Sequence, residues 1–138
     1  MFPSIVEWVD GHYRTKAKRA YRAIAGLSMG GFHSMQISKE YPTMFDYVGL
    51  YSAAIFRGKE GVATYDNLEE KLDRQFNEGM KLYWIAIGKD DFLYDENVRY
   101  RELLDSKGYP YIYRESEGGH IWRNWRIYLG EYAQMLFK

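Results

Sequence analysis

A serine flanked by glycines, in Gly26–Gly31, constrains the fold of this chain more than any other feature of its sequence. Residues 21–25 before it are short and partly apolar, which favours a buried strand. Residues 31–41 after it mix apolar with polar side chains and stop before a proline, which predicts a helix. A turn from strand to helix holds Ser28 in a strained conformation with its hydroxyl clear of the sheet. We therefore predict a nucleophile elbow at Ser28.

Two glycines, Gly26 and Gly30, are expected to leave room for this turn. Since glycine makes up about 7% of residues, a bare G-x-S-x-G pattern arises by chance in roughly one chain of this length in twenty. The alternative interpretation is a glycine-rich turn that only packs a helix against a sheet.

Strand-like and helix-like segments alternate along the rest of the chain. Such alternation implies parallel strands joined by helical crossovers, with binding sites beyond the carboxyl ends of the strands. We predict the α/β class, with a mainly parallel sheet of about four strands flanked by helices, in a single domain over residues 1–138. The predicted strands are 21–25, 45–51, 81–87 and 109–114, the predicted helices are about 5–13, 31–41, 67–77, 95–107 and 122–137, and residues 56–66 are a predicted loop or insertion.

Three side chains with complementary chemistry follow the carboxyl ends of predicted strands. Ser28, Asp91 and His120 come after the first, third and fourth strands, in the chain order expected for an α/β-hydrolase triad. A serine hydroxyl becomes a nucleophile when a neutral imidazole takes its proton, and a carboxylate holds that imidazole in the right tautomer. We predict these roles for the three residues. The alternative for His120 is a loop histidine bonded to backbone.

Neighbouring acidic residues and other histidines compete for these roles. Asp90 is interpreted as a turn former and Asp95 as the N-cap of the next helix. Asp91 is preferred because Asp90 sits closer to the strand and should point to the other side. His12, near a helix end, and His33, on the helix after the serine, are interpreted as surface or packing residues.

The composition argues against several other classes of function. Lysine plus arginine equals aspartate plus glutamate at 19 each, so no net field favours nucleic acid or an anionic membrane. No apolar stretch approaches the ~20 residues of a membrane span. The absence of cysteine excludes disulfides and thiolate sites. Because the acidic turn at 90–95 lacks the spaced pattern of a calcium loop, we expect neither a metal nor a cofactor.

Aromatic residues make up 18% of the chain, so some of them are available for roles besides packing. Aromatic faces stack on flat or sugar-like ligands. Trp122 and Trp125 closely follow His120 and are candidates for substrate binding, the alternative being packing of the last helix.

The motifs described so far lie in three segments, Ala25–Gly31, Ile87–Tyr94 and Glu115–Trp122, with Trp125 beyond them. On these segments the chain resembles, from Ile5 to its end, the C-terminal half of the "Putative esterase" family of α/β-hydrolases, and in particular bacterial feruloyl and acetyl xylan esterases. The resemblance implies that Ser28 is the nucleophile, that Asp91 orients the base and that His120 is the base. It also implies action on carboxylic esters, often those that link hydroxycinnamates or acetate to plant xylan. Relatives are often exported, and this chain does not itself indicate a compartment.

Family members are longer than this chain and carry further strands before the serine turn. In these proteins one of the earlier loops donates a backbone N–H to the oxyanion hole. Here the N–H of Met29 is the donor that is left. Losing one such donor typically lowers the rate about 10²–10³-fold. The strand at 21–25 is central in such proteins and here becomes an edge with unpaired groups. We therefore expect a fragment or truncated product that associates with a second copy, or rearranges near residues 21–26.

Two functions of different classes follow from these observations. The first is a serine carboxylesterase that acts through an acyl-enzyme, on feruloyl or acetyl esters of xylan-type polysaccharide. The alternative is a catalytically silent fragment with at most weak carbohydrate binding around Trp122 and Trp125.

Overall fold

The computed structural model of the protein describes residues 1–56 and 63–138. Within these ranges strands and helices alternate along the chain, and residues 57–62 of the predicted loop lie outside the described residues. The strands are β1 (Ala23–Leu27), β2 (Tyr47–Tyr51), β3 (Leu82–Gly88) and β4 (Ile112–Ser116), the helices are α1 (Phe2–His12), α2 (Met29–Glu40), α3 (Leu68–Asn77), α4 (Tyr94–Ser106) and α5 (Trp122–Ala133), and short 3-10 turns cover Arg19–Tyr21 and Ala63–Tyr65.

The strands form one parallel sheet in the order β1–β2–β3–β4. Its register places Gly26 beside Leu50 and Leu50 beside Ile85. Parallel neighbours need crossover connections, and α2, α3 and α4 supply them between consecutive strands. The predicted α/β class, with a parallel sheet of four strands and flanking helices, is therefore confirmed. All strands point the same way, so their carboxyl ends share one rim of the sheet.

Apolar side chains cover both faces of the sheet. β2 and β3 are buried along their whole length, as expected for central strands of a parallel sheet. On one face, side chains of these strands pack against α2, α3 and α4, and on the other they pack against α5. The first cluster includes Val48, Leu50, Ile85 and Ile87 with Met35, Leu72, Tyr100 and Leu104, and the second includes Tyr47, Tyr51 and Trp84 with Trp125, Tyr128 and Tyr132.

Several element boundaries differ from the prediction: β1 covers Ala23–Leu27 rather than 21–25, α2 begins at Met29 rather than at 31, and α5 ends at Ala133 rather than at 137. α4 begins at Tyr94, so Asp95 lies in its first turn rather than at its N-cap, where the carboxylate still faces the positive end of the helix. β4 begins at Ile112 rather than at residue 109, and Pro110 has no N–H to donate to a strand ladder.

α1 is the most exposed helix of the described chain, since none of its residues is buried. An apolar groove of about 470 Å³ lies between α1, the start of β1 and the chain end, lined in part by Ile5, Val9, Phe45 and Phe137. Within residues 1–56 and 63–138, no strand pairs with the outer side of β1. In the same ranges no helix is long and apolar enough to cross a membrane.

Candidate active site

Ser28 occupies the sharp turn between β1 and α2. Its backbone has φ 54° and ψ −117°, a left-handed conformation that a serine adopts only where its surroundings impose it. Two neighbours impose it here. The Ser28 N–H donates to the carbonyl of Tyr51 at 2.8 Å, and the Ser28 carbonyl accepts from the N–H of Ala54 at 2.9 Å. The end of β2 therefore holds the turn from both sides.

Close packing around this turn depends on Gly26 and Gly31. A Cβ at Gly26 would lie 2.3 Å from the carbonyl carbon of Gly30, and a Cβ at Gly31 would lie 2.7 Å from the Cβ of Ala53. The expectation that Gly30 must also be a glycine for lack of room is wrong, because a Cβ there meets nothing within 4 Å. It is the main chain of Gly30 that approaches Gly26, and any residue at position 30 presents that same main chain.

The variant Gly26→Ala is expected to lower the free energy of unfolding by about 1–3 kcal/mol, because its methyl group would overlap main-chain atoms that cannot swing away. The matched variant Gly30→Ala is expected to be neutral or to stabilise the protein by up to about 1 kcal/mol, since alanine favours a helix over glycine. Urea unfolding of both variants measures the difference. Equal losses of unfolding free energy in the two variants would contradict the steric overlap at Gly26.

The structure brings Ser28, His120 and Asp91 into one hydrogen-bonded row. His120 Nε2 lies 3.0 Å from Ser28 Oγ, and His120 Nδ1 lies 2.9 Å from Oδ2 and 3.1 Å from Oδ1 of Asp91. Since a carboxylate only accepts hydrogen bonds, Nδ1 carries the proton and Nε2 is left to accept from the serine hydroxyl. This row can move a proton from the serine to the imidazole while the carboxylate holds the ring.

Asp91 is buried, with 4% of its surface exposed, directly after β3 and before α4. Its Oδ1 also accepts the N–H of Leu93 at 2.9 Å, which sets the carboxylate in place. Asp90 is exposed beside it, while its N–H donates to the carbonyl of Gly118 at 3.1 Å and so ties this turn to the loop that carries His120.

The loop between β4 and α5 presents His120. Gly118 has φ +80°, which favours glycine, and its carbonyl sits so close to β3 that a Cβ at Gly88 would lie 2.0 Å from it. The Asn124 side chain donates to the carbonyls of Glu117 at 3.0 Å and Gly119 at 3.1 Å. The sequence analysis did not single out Asn124, whose only signal is its place one turn into α5.

The strand before this loop ends in a hydrogen-bonded group centred on Glu115. The hydroxyls of Tyr113 and Tyr94 donate to Glu115 Oε2 at 2.7 and 2.8 Å. The hydrogen bond from Tyr113, and after it the one from Tyr94, lowers the pKa of the Glu115 carboxyl below its usual value. The end of β4 is thereby tied to the start of α4, near Asp91.

Aromatic rings surround the His120 imidazole. The ring of Phe92 lies 4.6 Å from it, and the ring of Trp125 lies 4.8 Å from it with an interplanar angle of 83°. Trp125 is 9% exposed and its indole N–H donates to Ser52 Oγ at 3.1 Å, whereas Trp122 is 68% exposed. Of the two predicted substrate-binding tryptophans, Trp122 therefore faces solvent and Trp125 is buried beside His120. Sequence reasoning missed Phe92 and Ser52.

The other histidines lie elsewhere on the surface. His12 stacks on Trp8 of α1 and bonds to the carbonyl of that residue, and His33 is exposed on α2 beside Phe32. In the described part of the chain, no group of three or more His, Asp or Glu side chains is placed to hold a metal ion.

The parallel sheet and the serine at the turn from β1 into α2 define an α/β-hydrolase. A family model described as "Putative esterase" matches residues 3–134, and the chain belongs to this family of esterases. The family indicated by the sequence motifs is therefore confirmed.

Named relatives agree with this family. The chain is 28% identical to an acetyl esterase of Caldicellulosiruptor saccharolyticus, over 97% of this chain and 61% of that protein. It is 29% identical to an endo-1,4-beta-xylanase/feruloyl esterase of Xylanibacter ruminicola, over 100% of this chain and 17% of that protein. A ferulic acid esterase of the anaerobic fungus Anaeromyces mucronatus shares the fold, with a TM-score of 0.80 at 23% identity, over 98% of this chain and 51% of that one. The chain thus spans less than two thirds of each of these proteins.

Proposed function

We propose that this protein is a serine carboxylesterase that works through an acyl-enzyme. The observation that carries the proposal is the row from Ser28 through His120 to Asp91, with contacts of 3.0 and 2.9 Å. Such a row is built for acyl transfer, because it can make a serine oxygen nucleophilic and return the proton to a leaving group.

The first half of the proposed reaction forms the acyl-enzyme. Ser28 Oγ attacks the ester carbonyl carbon while His120 Nε2 takes its proton, and Asp91 stabilises the imidazolium. The oxyanion that forms accepts a hydrogen bond from the main-chain N–H of Met29, the first amide of α2, where the helix dipole also favours negative charge. As the C–O bond of the ester breaks, His120 gives its proton to the departing alcohol.

The second half of the reaction releases the acid. Water takes the place of the alcohol, gives a proton to His120 Nε2 and attacks the acyl carbon. The second tetrahedral intermediate then breaks its bond to Ser28 Oγ, which recovers the proton from His120. Atoms and charges balance over the cycle, which consumes one ester and one water and releases one acid and one alcohol.

Acetyl or feruloyl esters of xylan-type polysaccharide are the proposed substrates. The names of two relatives, an acetyl esterase and a xylanase/feruloyl esterase, support this choice. The exposed rings of Phe92 and Trp122 lie on the same rim as Ser28 and offer apolar and aromatic surface to a sugar or a hydroxycinnamoyl group.

A fluorophosphonate probe tests this proposal on the purified chain. We expect one adduct per folded chain by intact mass, mapped to the peptide that carries Ser28 and absent when the chain is first unfolded in urea. The variant His120→Ala should lose the adduct, whereas His33→Ala, which removes an exposed histidine from α2, should keep it. A folded chain that forms no adduct contradicts the proposal.

The second candidate is a catalytically silent protein that binds carbohydrate weakly. The exposure of Trp122 favours it, since a solvent-facing indole is a surface on which sugars stack. Binding to xylan oligosaccharides that Trp122→Ala removes and Ser28→Ala leaves unchanged, in a chain without probe labelling, is the result expected for this candidate.

We also propose that two copies associate through the outer edge of β1. The unpaired side of this strand in the described chain, the apolar groove beside it and the absence of net charge all support association. The Ser28 N–H donates to β2, and every second residue of a parallel strand faces the same neighbour, so Gly26 and Ile24 also face β2. Ala25 lies between them and therefore presents its N–H to the free edge.

Light scattering during size-exclusion chromatography is expected to give a mass that rises toward twice that of one chain as concentration increases. The variant Ala25→Pro should shift this mass toward the monomer, because proline removes an edge donor without removing a bond to β2. A folded monomer at all concentrations would count against the association.

A further inference from the structure

Ser52 is an unusual residue at the end of β2. It has φ +45° although it is not a glycine, and none of its surface is exposed. Its N–H donates to the carbonyl of Ala86 on β3 at 2.8 Å, and its hydroxyl accepts the indole N–H of Trp125 at 3.1 Å. A glycine would adopt this conformation without strain, so the side chain is kept at an energetic cost.

The contact with Trp125 leads directly to the imidazole of His120. Trp125 is packed edge-to-face against the His120 ring, and the Phe92 ring also packs against that imidazole. The two hydrogen bonds of His120, to Asp91 and to Ser28, lie in the plane of its ring. They do not fix rotation of the ring about the line that joins them, so the packed rings of Trp125 and Phe92 set that tilt.

We propose that Ser52 and Trp125 are positioning residues for His120, a role that rests on the proposed esterase function. Ser52 locks the indole through the hydroxyl–indole hydrogen bond, and the locked indole fixes the tilt at which His120 Nε2 meets Ser28 Oγ. Trp125 is therefore assigned to the orientation of the base rather than to contact with substrate. Small errors in the approach of a base lower the rate of proton transfer, which makes such a lock valuable.

The variant Ser52→Gly separates this role from a merely structural one. It deletes the hydroxyl and also relieves the backbone strain, so its two effects on stability oppose each other. Trp125→Phe deletes the same hydrogen bond from the other side. The matched control is Trp84→Phe, which trims a buried tryptophan of the same core cluster on β3, whose ring packs against Tyr51, Tyr128 and Tyr132.

Labelling kinetics with the fluorophosphonate probe provide the first measurement. We expect Ser52→Gly and Trp125→Phe each to lower the maximal labelling rate about tenfold. The half-saturating probe concentration should stay unchanged in Ser52→Gly, which leaves the rings of Phe92, Trp122 and Trp125 present, whereas Trp125→Phe also alters the packing of Trp122. The double variant should be no slower than the slower single variant, because both changes remove one bond. Unchanged maximal rates, or losses that Trp84→Phe matches, overturn the proposal.

Nuclear magnetic resonance of the His120 ring provides a second measurement that does not depend on activity. The ring C–H signals, assigned by their loss in His120→Gln, are shifted by the ring current of Trp125. In Ser52→Gly they should move toward the positions of a free histidine, while Trp84→Phe leaves them in place. Signals that stay fixed in Ser52→Gly overturn the positioning role. A wild-type chain that is never labelled by the probe counts against the esterase proposal alone, so the two failures are distinguishable.

Discussion

Replacing Ser28 with alanine is expected to lower kcat for ester hydrolysis about 10⁶-fold, to the background rate, as removal of a nucleophile does in an enzyme whose residues act as one unit. Without Oγ there is no oxygen for His120 to deprotonate and no acyl-enzyme. Folding should survive, because Gly26, Gly31 and the end of β2 set the turn and the lost hydroxyl bonds only His120 among the described residues. Ester turnover and the unfolding midpoint are the two measurements.

Ser38→Ala is the matched control for this change. Ser38 lies on α2, ten residues after Ser28 and therefore about 15 Å further along the helix axis. Its hydroxyl donates within the helix to the carbonyl of Met35 at 3.1 Å. The same hydroxyl deletion is therefore expected to leave turnover unchanged. Ester hydrolysis that persists in Ser28→Ala would place the activity elsewhere on the molecule or in a contaminant.

Replacing Asp91 with asparagine is expected to lower kcat about 10⁴-fold with little change in KM, because an amide favours the wrong imidazole tautomer. The asparagine nitrogen would face His120 Nδ1 as a donor, so the ring proton would move to Nε2. The nitrogen next to Ser28 Oγ could then no longer accept its proton. Steady-state kinetics on an aryl acetate measure the loss.

The neighbouring change Asp90→Asn is the control for this prediction. It removes an equal charge one residue away, from an exposed side chain, and leaves the Asp91 carboxylate on His120 Nδ1. We expect its kcat to stay within about twofold of the wild-type value, since exposed charges in water act weakly. Equal losses in the two variants would attribute the effect to net charge in this turn rather than to orientation of the base.

The fold class could be predicted from the sequence because the alternation of strands and helices is local and repeated. The runs at 47–51 and 82–87 hold only aliphatic, aromatic and glycine residues, which is the pattern of strands buried on both faces. Boundaries were less predictable. Pro110 does not take part in β4, and Asp95 lies one residue inside α4, because pairing partners and turn geometry decide where an element begins.

The neighbours of the candidate site could not be predicted from sequence spacing. Asn124 reaches the loop carbonyls, Ser52 accepts the indole N–H of Trp125, and the Gly30 main chain approaches Gly26, all across different elements. No periodic pattern marks such contacts. They depend on how α5 and the ends of β2 and β3 meet in space.

By itself the sequence determined the class of fold, the family and the three residues to place at one rim of the sheet, because glycines, apolar runs and strand ends are local signals. Only the tertiary structure decided that Nε2 of His120 lies 3.0 Å from Ser28 Oγ and that Asp91, rather than Asp90, meets Nδ1. It also decided that Trp125 is buried beside the imidazole while Trp122 faces solvent. Such distances and exposures arise where residues 28, 91 and 120 converge from separate strands, and the packing of the helices on the sheet sets them.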